Sequence, residues 1–169
     1  MSQRRITKPR TAALVDVTTG IEIDLARHQV AAYAADPDNA PAWYVNIRQV
    51  DWQTRRPAAV GSQISFVASF LGRRLAYTYE IQALDPGERL VMRTSEGPFP
   101  METTYTWSDT PSGGTRMTLR NRGAARGLPR LAAPLIAAAV RHANRKDLRR
   151  LRSLLERDAH SGSSGTDRP

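Results

Sequence analysis

Six consecutive stretches of this chain alternate apolar and polar residues with period two, and most are joined by short, turn-forming segments. They read NIRQVDWQT (46–54), SQISFVASFL (62–71), RLAYTYEIQAL (74–84), RLVMRTSE (89–96), METTYTWSD (101–109) and TRMTLRNRG (115–123). The linkers FLGRR, DPGER and TPSGGT contain glycine and have hairpin length. Successive strands joined this way predict an antiparallel meander. A further β-branched, alternating segment, ALVDVTTGIEID (13–24), comes first and predicts about seven strands in all.

Helical signals frame the meander. Asp24 is placed to cap LARHQVAAYAAD, in which Val30 and Tyr33 fall about one turn apart. Pro37 ends that helix, and Pro41 shapes a second short turn carrying Trp43 and Tyr44. One long helix over roughly 128–157 closes the domain. An antiparallel sheet with a single helix on its face must curl around it, and the space between them is the natural place for a ligand. The broken segment at 37–44 then predicts a lid over one end of that space.

The predicted domain spans 12–157, between a flexible basic arm at 1–11 and a Gly/Ser tail at 158–169. With no cysteine there is neither disulfide nor thiolate chemistry, and three scattered histidines (28, 142 and 160) argue against a metal centre. No cofactor is expected. No apolar run approaches the ~20 residues of a membrane span, and no apolar segment follows the charged N-terminus. The expected location is therefore cytoplasmic. Of the 25 basic residues only Lys8 and Lys146 are lysine, which fits a GC-rich bacterial gene. The formal charge of +9 attracts nucleic acid and acidic surfaces nonspecifically but names neither as a partner.

In element order the chain resembles the START-like, helix-grip (SRPBCC) superfamily. That group includes polyketide cyclase/dehydrase-like proteins, Bet v 1-like plant proteins and lipid-transfer domains. The resemblance spans about residues 12–157 and rests on IEIDLARHQVAAYAADPDNAPAWY, GTRMTLRNRG and NRKDLRRLRSLLE. It implies an α+β fold, a curved antiparallel sheet wrapped around a long C-terminal helix, with a hydrophobic cavity between them. It does not distinguish passive binders from cyclases and hydrolases.

Strand parity sorts the cavity candidates. Ile64, Phe66, Ala68 and Phe70 share one face, as do Tyr77 and Tyr79, Met92, Met101, Thr103 and Tyr105, and Leu119 and Asn121. Each is either plain core or cavity wall. The phenols of Tyr77, Tyr79 and Tyr105 and the amide of Asn121 need partners wherever they are buried. On the last helix Ala133, Ile136, Ala137, Val140, Ala143, Leu148, Leu151, Leu154 and Leu155 form an apolar stripe, opposite Arg141, Arg145, Arg149 and Arg152. His142 falls off the stripe. Asn144 and Asp147 fall on it. Asp147 is either ion-paired to an arginine or a polar group at the cavity floor, acceptor or base. SEGPFPMET (95–103) makes a bent rim carrying Phe99, with Trp43 and Tyr44 opposite.

These residues define three functions to separate. The first is binding of a small hydrophobic or amphipathic molecule, a lipid, isoprenoid or polyketide-like compound, by a monomer or homodimer. The second is a cofactor-independent cyclase, dehydratase or hydrolase using Asp147, Tyr77 or Tyr105 for proton transfer. The third is a nucleic-acid or acidic-partner binder, for which the sequence lacks aromatic–basic interleaving.

Overall fold

The computed structural model describes residues 13–70, 73–97, 100–125 and 130–163. The basic arm, the FLGRR turn tip, Phe99 and the last six residues lie outside these.

The strands are β1 (Ala13–Ile23), β2 (Ile47–Trp52), β3 (Gln63–Phe70), β4 (Arg73–Asp85), β5 (Arg89–Glu96), β6 (Met101–Asp109) and β7 (Thr115–Ala125). They form one antiparallel sheet in the order β1-β7-β6-β5-β4-β3-β2. Six strands follow the meander, and β1 returns to pair along its whole length with β7. Register shifts in the β2–β3 and β4–β5 pairs break the ladder, and such bulges bend and twist a sheet.

Between β1 and β2 run α1 (Arg27–Ala35), a one-turn 3-10 helix (Pro37–Asn39) and α2 (Ala40–Trp43). After β7 a second 3-10 turn leads into α3 (Ala133–Ser163). This is the α+β helix-grip fold, with α3 lying against the concave face.

The core follows from the two periodicities. Ile64 and Phe66, Tyr79 and Ile81, Leu90 and Met92, Tyr105 and Trp107, and Met117 and Leu119 are buried on the inward face of their strands. Leu148, Leu151 and Leu155 meet them from α3. The outward face is held by polar pairs. Arg120 grips Asp16 through two hydrogen bonds, and Arg93 donates to Glu102 at 2.7 Å. Being exposed, such pairs add register more than stability. The arginines at 141, 145, 149 and 152 are exposed.

Two boundary expectations are corrected. Asp24 does not cap α1, which begins at Arg27 with Ala26 at its cap position and no side-chain cap. The chain turns first: Leu25 N–H donates to the Ile23 carbonyl, and Thr115 donates to the Leu25 carbonyl. Asp24 is therefore spent before the helix starts. At the other end α3 continues to Ser163, so residues 158–163, expected in the tail, are helical. Backbone propagation there costs little once a long helix is nucleated.

Gly97 sits behind the cavity wall at φ +147, and a Cβ there would lie 2.8 Å from the Tyr77 Cβ. Gly97→Ala is expected to cost about 2 kcal/mol, from backbone strain plus displacement of Tyr77, read as a lower urea midpoint.

Candidate functional site

The lid forms because proline forbids helix continuation twice. Pro37 follows an extended Asp36, whose carboxylate accepts the Asp38 N–H at 3.0 Å. Pro41 then starts the single turn of α2, which ends by burying Trp43 at 1% exposure. Trp43 stacks on Tyr44, with centroids 3.9 Å apart, and meets Tyr105 edge-on at 6.0 Å. These contacts fasten the lid to β6.

Beneath it lies a cavity of about 380 Å³ between α3, the lid and the sheet. That volume is at the lower end of small-molecule sites. Trp43, Phe66, Tyr77, Tyr79, Met92, Met101, Thr103, Tyr105, Asn121, Val140, Asn144 and Asp147, all named from sequence, line it. Leu119 does not. It is completely buried one step further along β7, within the solid core. The side chain of Phe70 and all of Phe99 lie outside what the structure describes. His142 is exposed on the outer face of α3.

The polar groups of the wall are organised into two sets. Tyr44 and Tyr105 share a hydroxyl–hydroxyl bond of 2.6 Å. Further down, Thr103 donates to Asn121 Oδ1 at 2.9 Å, and Asn121 Nδ2 donates to Asn144 Oδ1 at 3.0 Å. Since Thr103 has one hydroxyl hydrogen, the 3.0 Å contact with Tyr79 has Tyr79 as donor. The chain thus runs one way, from β4 through β6 and β7 to α3. Asn144 Nδ2 and the indole N–H of Trp43 are buried without partners among the described residues.

Burial, more than any neighbour, fixes the protonation of the phenols. It pushes Tyr79 up to about 12, and holds Tyr44, Tyr77 and Tyr105 far above the ordinary phenol range. All four are neutral donors at physiological pH. Tyr105→Phe is expected to cost about 1 kcal/mol in urea unfolding, because Tyr44 loses its hydroxyl partner. A loss near zero would mean that the pair contributes nothing net.

Asp147 is 5% exposed. Of the two readings left open by its sequence position, the ion pair is absent among the described residues. Oδ1 instead accepts the Val45 N–H at 2.9 Å, tying the segment after the lid to α3. Desolvation raises its pKa above the ordinary carboxylate value, opposed by the Val45 hydrogen bond and by Lys146 and Arg150. Among the described residues no group of three or more histidine, cysteine or acidic side chains could hold a metal. No helix among them is long and apolar enough to cross a membrane.

Residues 15–156 match the family model described as polyketide cyclase / dehydrase and lipid transport. The chain belongs to this family. No protein of curated function matches it. Among solved structures, it is similar to the Zhui aromatase/cyclase from Streptomyces sp. R1128, with a TM-score of 0.72 and 14% identity over 86% of this chain and 96% of that one. It is also similar to the di-domain ARO/CYC StfQ of the steffimycin biosynthetic pathway, with a TM-score of 0.74 and 15% identity over 88% and 53%. A START superfamily protein from Mycobacterium smegmatis gives a TM-score of 0.73 and 12% identity over 84% and 97%. Such identities establish a shared fold. Family and fold together support a ligand-binding or cyclase/dehydrase role, without choosing between them.

The family fold also explains which lining residues the sequence concealed. Tyr44 was legible as a rim aromatic, but its hydroxyl partner 61 residues away was not. Asn46, Ile47 and Ser69 reach the cavity because the start of β2 and the end of β3 lie beneath the lid, whereas Leu75 shares the inward parity of Tyr77 and Tyr79. Alternation marks a face, and only the assembled sheet sets how deep along it a residue lies.

Proposed function

We propose that this chain binds one small, mostly apolar molecule carrying a few hydrogen-bonding groups in the cavity between α3 and the sheet. The observation that carries this reading is a wall of aromatic and aliphatic carbon interrupted by four phenols, three asparagines and two carboxylates. Apolar lining supplies affinity, while sparse polar groups fix orientation. The family description, which includes lipid transport, supports the same reading.

The test is titration with the neutral fluorophore N-phenyl-1-naphthylamine. A saturable rise in emission at one site per chain, with quenching of tryptophan fluorescence, is expected. No saturable binding would overturn the reading. Weak, salt-erased attraction of DNA to the basic surface is expected alongside and is independent of the cavity.

A second reading, a cyclase or dehydratase, is favoured by one feature. The Tyr77 hydroxyl and one oxygen of Asp147 lack hydrogen-bond partners among the described residues, and both residues line the cavity. A carboxylate of raised pKa would take a proton while a neutral phenol gave one. Turnover abolished by Asp147→Asn with ligand affinity retained would install this reading in place of the first.

A further inference from the structure

The cavity carries a charge opposite to that of the molecule. Against a formal +9 for the chain, the only charged residues lining the cavity among those described are Asp36 and Asp147. Asp36 is exposed, and its carboxylate accepts the Asp38 N–H. Asp147 is enclosed, and only one of its oxygens is engaged, by the Val45 N–H. Its neighbours Lys146 and Arg150 are exposed on the outer side of α3 and form no ion pair with it.

The cavity that holds this half-used carboxylate is also lined by the rings of Tyr44, Tyr77, Tyr79 and Tyr105, with Trp43 in the lid. Tyr77 and Tyr79 are perpendicular, with centroids 5.5 Å apart, and Tyr105 is edge-on to Trp43. Differently inclined rings offer both faces and edges to whatever lies between them. The ring faces are the negative ends of the aromatic quadrupoles and attract a cation.

An enclosed carboxylate without a cation pays desolvation that one backbone hydrogen bond offsets only in part. A ligand bringing positive charge relieves that cost, and its apolar body replaces cavity water. A ligand bringing a carboxylate does the reverse, placing two like charges in a medium of low dielectric.

We infer that the ligand's polar end is a protonated amine, seated with an N–H on the free oxygen of Asp147 and its charge against the tyrosine and tryptophan rings. This rests on the cavity-binding reading above and names the chemical class of its ligand. The site accepts an apolar ammonium compound and rejects fatty acids and other apolar carboxylates, even though the outer surface attracts anions.

Three probes of one shape test it by isothermal calorimetry at 0.15 M salt, which mutes the outer charges. They are 2-aminotetralin, tetralin and tetralin-2-carboxylate. The expected order is amine tightest by about tenfold or more over tetralin, with the carboxylate weaker than tetralin by a similar factor. Asp147→Asn retains an oxygen for the Val45 N–H and is expected to bring the amine's affinity down to near that of tetralin.

Equal affinity for amine and tetralin, or a carboxylate that binds as well as the amine, overturns the ammonium inference and leaves the cavity reading standing. An amine preference that survives Asp147→Asn also overturns it. Failure of all three probes to bind overturns the ammonium inference, while the cavity reading stands or falls separately on the N-phenyl-1-naphthylamine titration. The ranking on the unaltered chain decides the matter even if the variant does not fold.

Discussion

A Trp43→Ala chain is expected to melt roughly 6–20 °C below its parent, from a loss of about 3–5 kcal/mol. Trp43 is 1% exposed and holds the lid by stacking on Tyr44 and touching Tyr105. Its removal joins the space left by the indole to an existing cavity, so neighbouring groups have little to collapse onto. Trp43→Phe separates packing from the rest. It keeps an aromatic face against Tyr44 and deletes an indole N–H that has no partner among the described residues. An orphaned buried donor costs about 1–3 kcal/mol, so this variant is expected to lose far less than the alanine. Circular dichroism melts would check both. A Trp43→Ala protein that melts within about 3 °C of the parent would mean that the lid is not packed as described.

The second large effect has opposite signs in two variants of one residue. Asp147→Ala leaves the Val45 N–H buried without an acceptor, an expected loss of about 1–3 kcal/mol, or roughly 3–10 °C. Asp147→Asn retains an oxygen for that bond and removes the ionisation. Burial raises the Asp147 pKa in the folded chain above its ordinary value of 3.8. Between those two values the folded state binds more protons than the unfolded state, so stability falls as pH rises through the window. Above the folded-state value the cost is fully present; below 3.8 it is absent. Asp147→Asn is therefore expected to match the parent near pH 3 and to melt at the same temperature or higher at pH 7. A variant losing stability steadily between those pH values would show that the carboxylate is stabilised, not penalised, by its surroundings.

How much of this was legible depends on the distance over which each feature is determined. Alternation and turn residues act over neighbouring residues, so β5 and β6 match their predicted limits, and Pro37 and Pro41 break the lid where expected. The position of Asp147 on an apolar stripe was visible, and so was the need for a partner. The partner itself is a backbone N–H 102 residues earlier, which no side-chain pattern marks. Leu119 and Asn121 share a parity on β7, yet one packs in the core and the other reaches the cavity. Their depth is set by where the lid and α3 cross the sheet. Asp24 carried a proper capping side chain but stands at a turn that Thr115, from the far end of the sheet, helps to hold.

The methionines report directly on a small molecule held in the space under the lid. Met92 and Met101 line the cavity, whereas Met117 is wholly buried in the core away from it. Methyl spectra of protein labelled at methionine, recorded during titration with N-phenyl-1-naphthylamine, are predicted to show the Met92 and Met101 signals moving to saturation while Met117 stays nearly fixed. Saturable binding that leaves Met92 and Met101 unmoved would contradict the account, because the molecule would then sit on the outer surface.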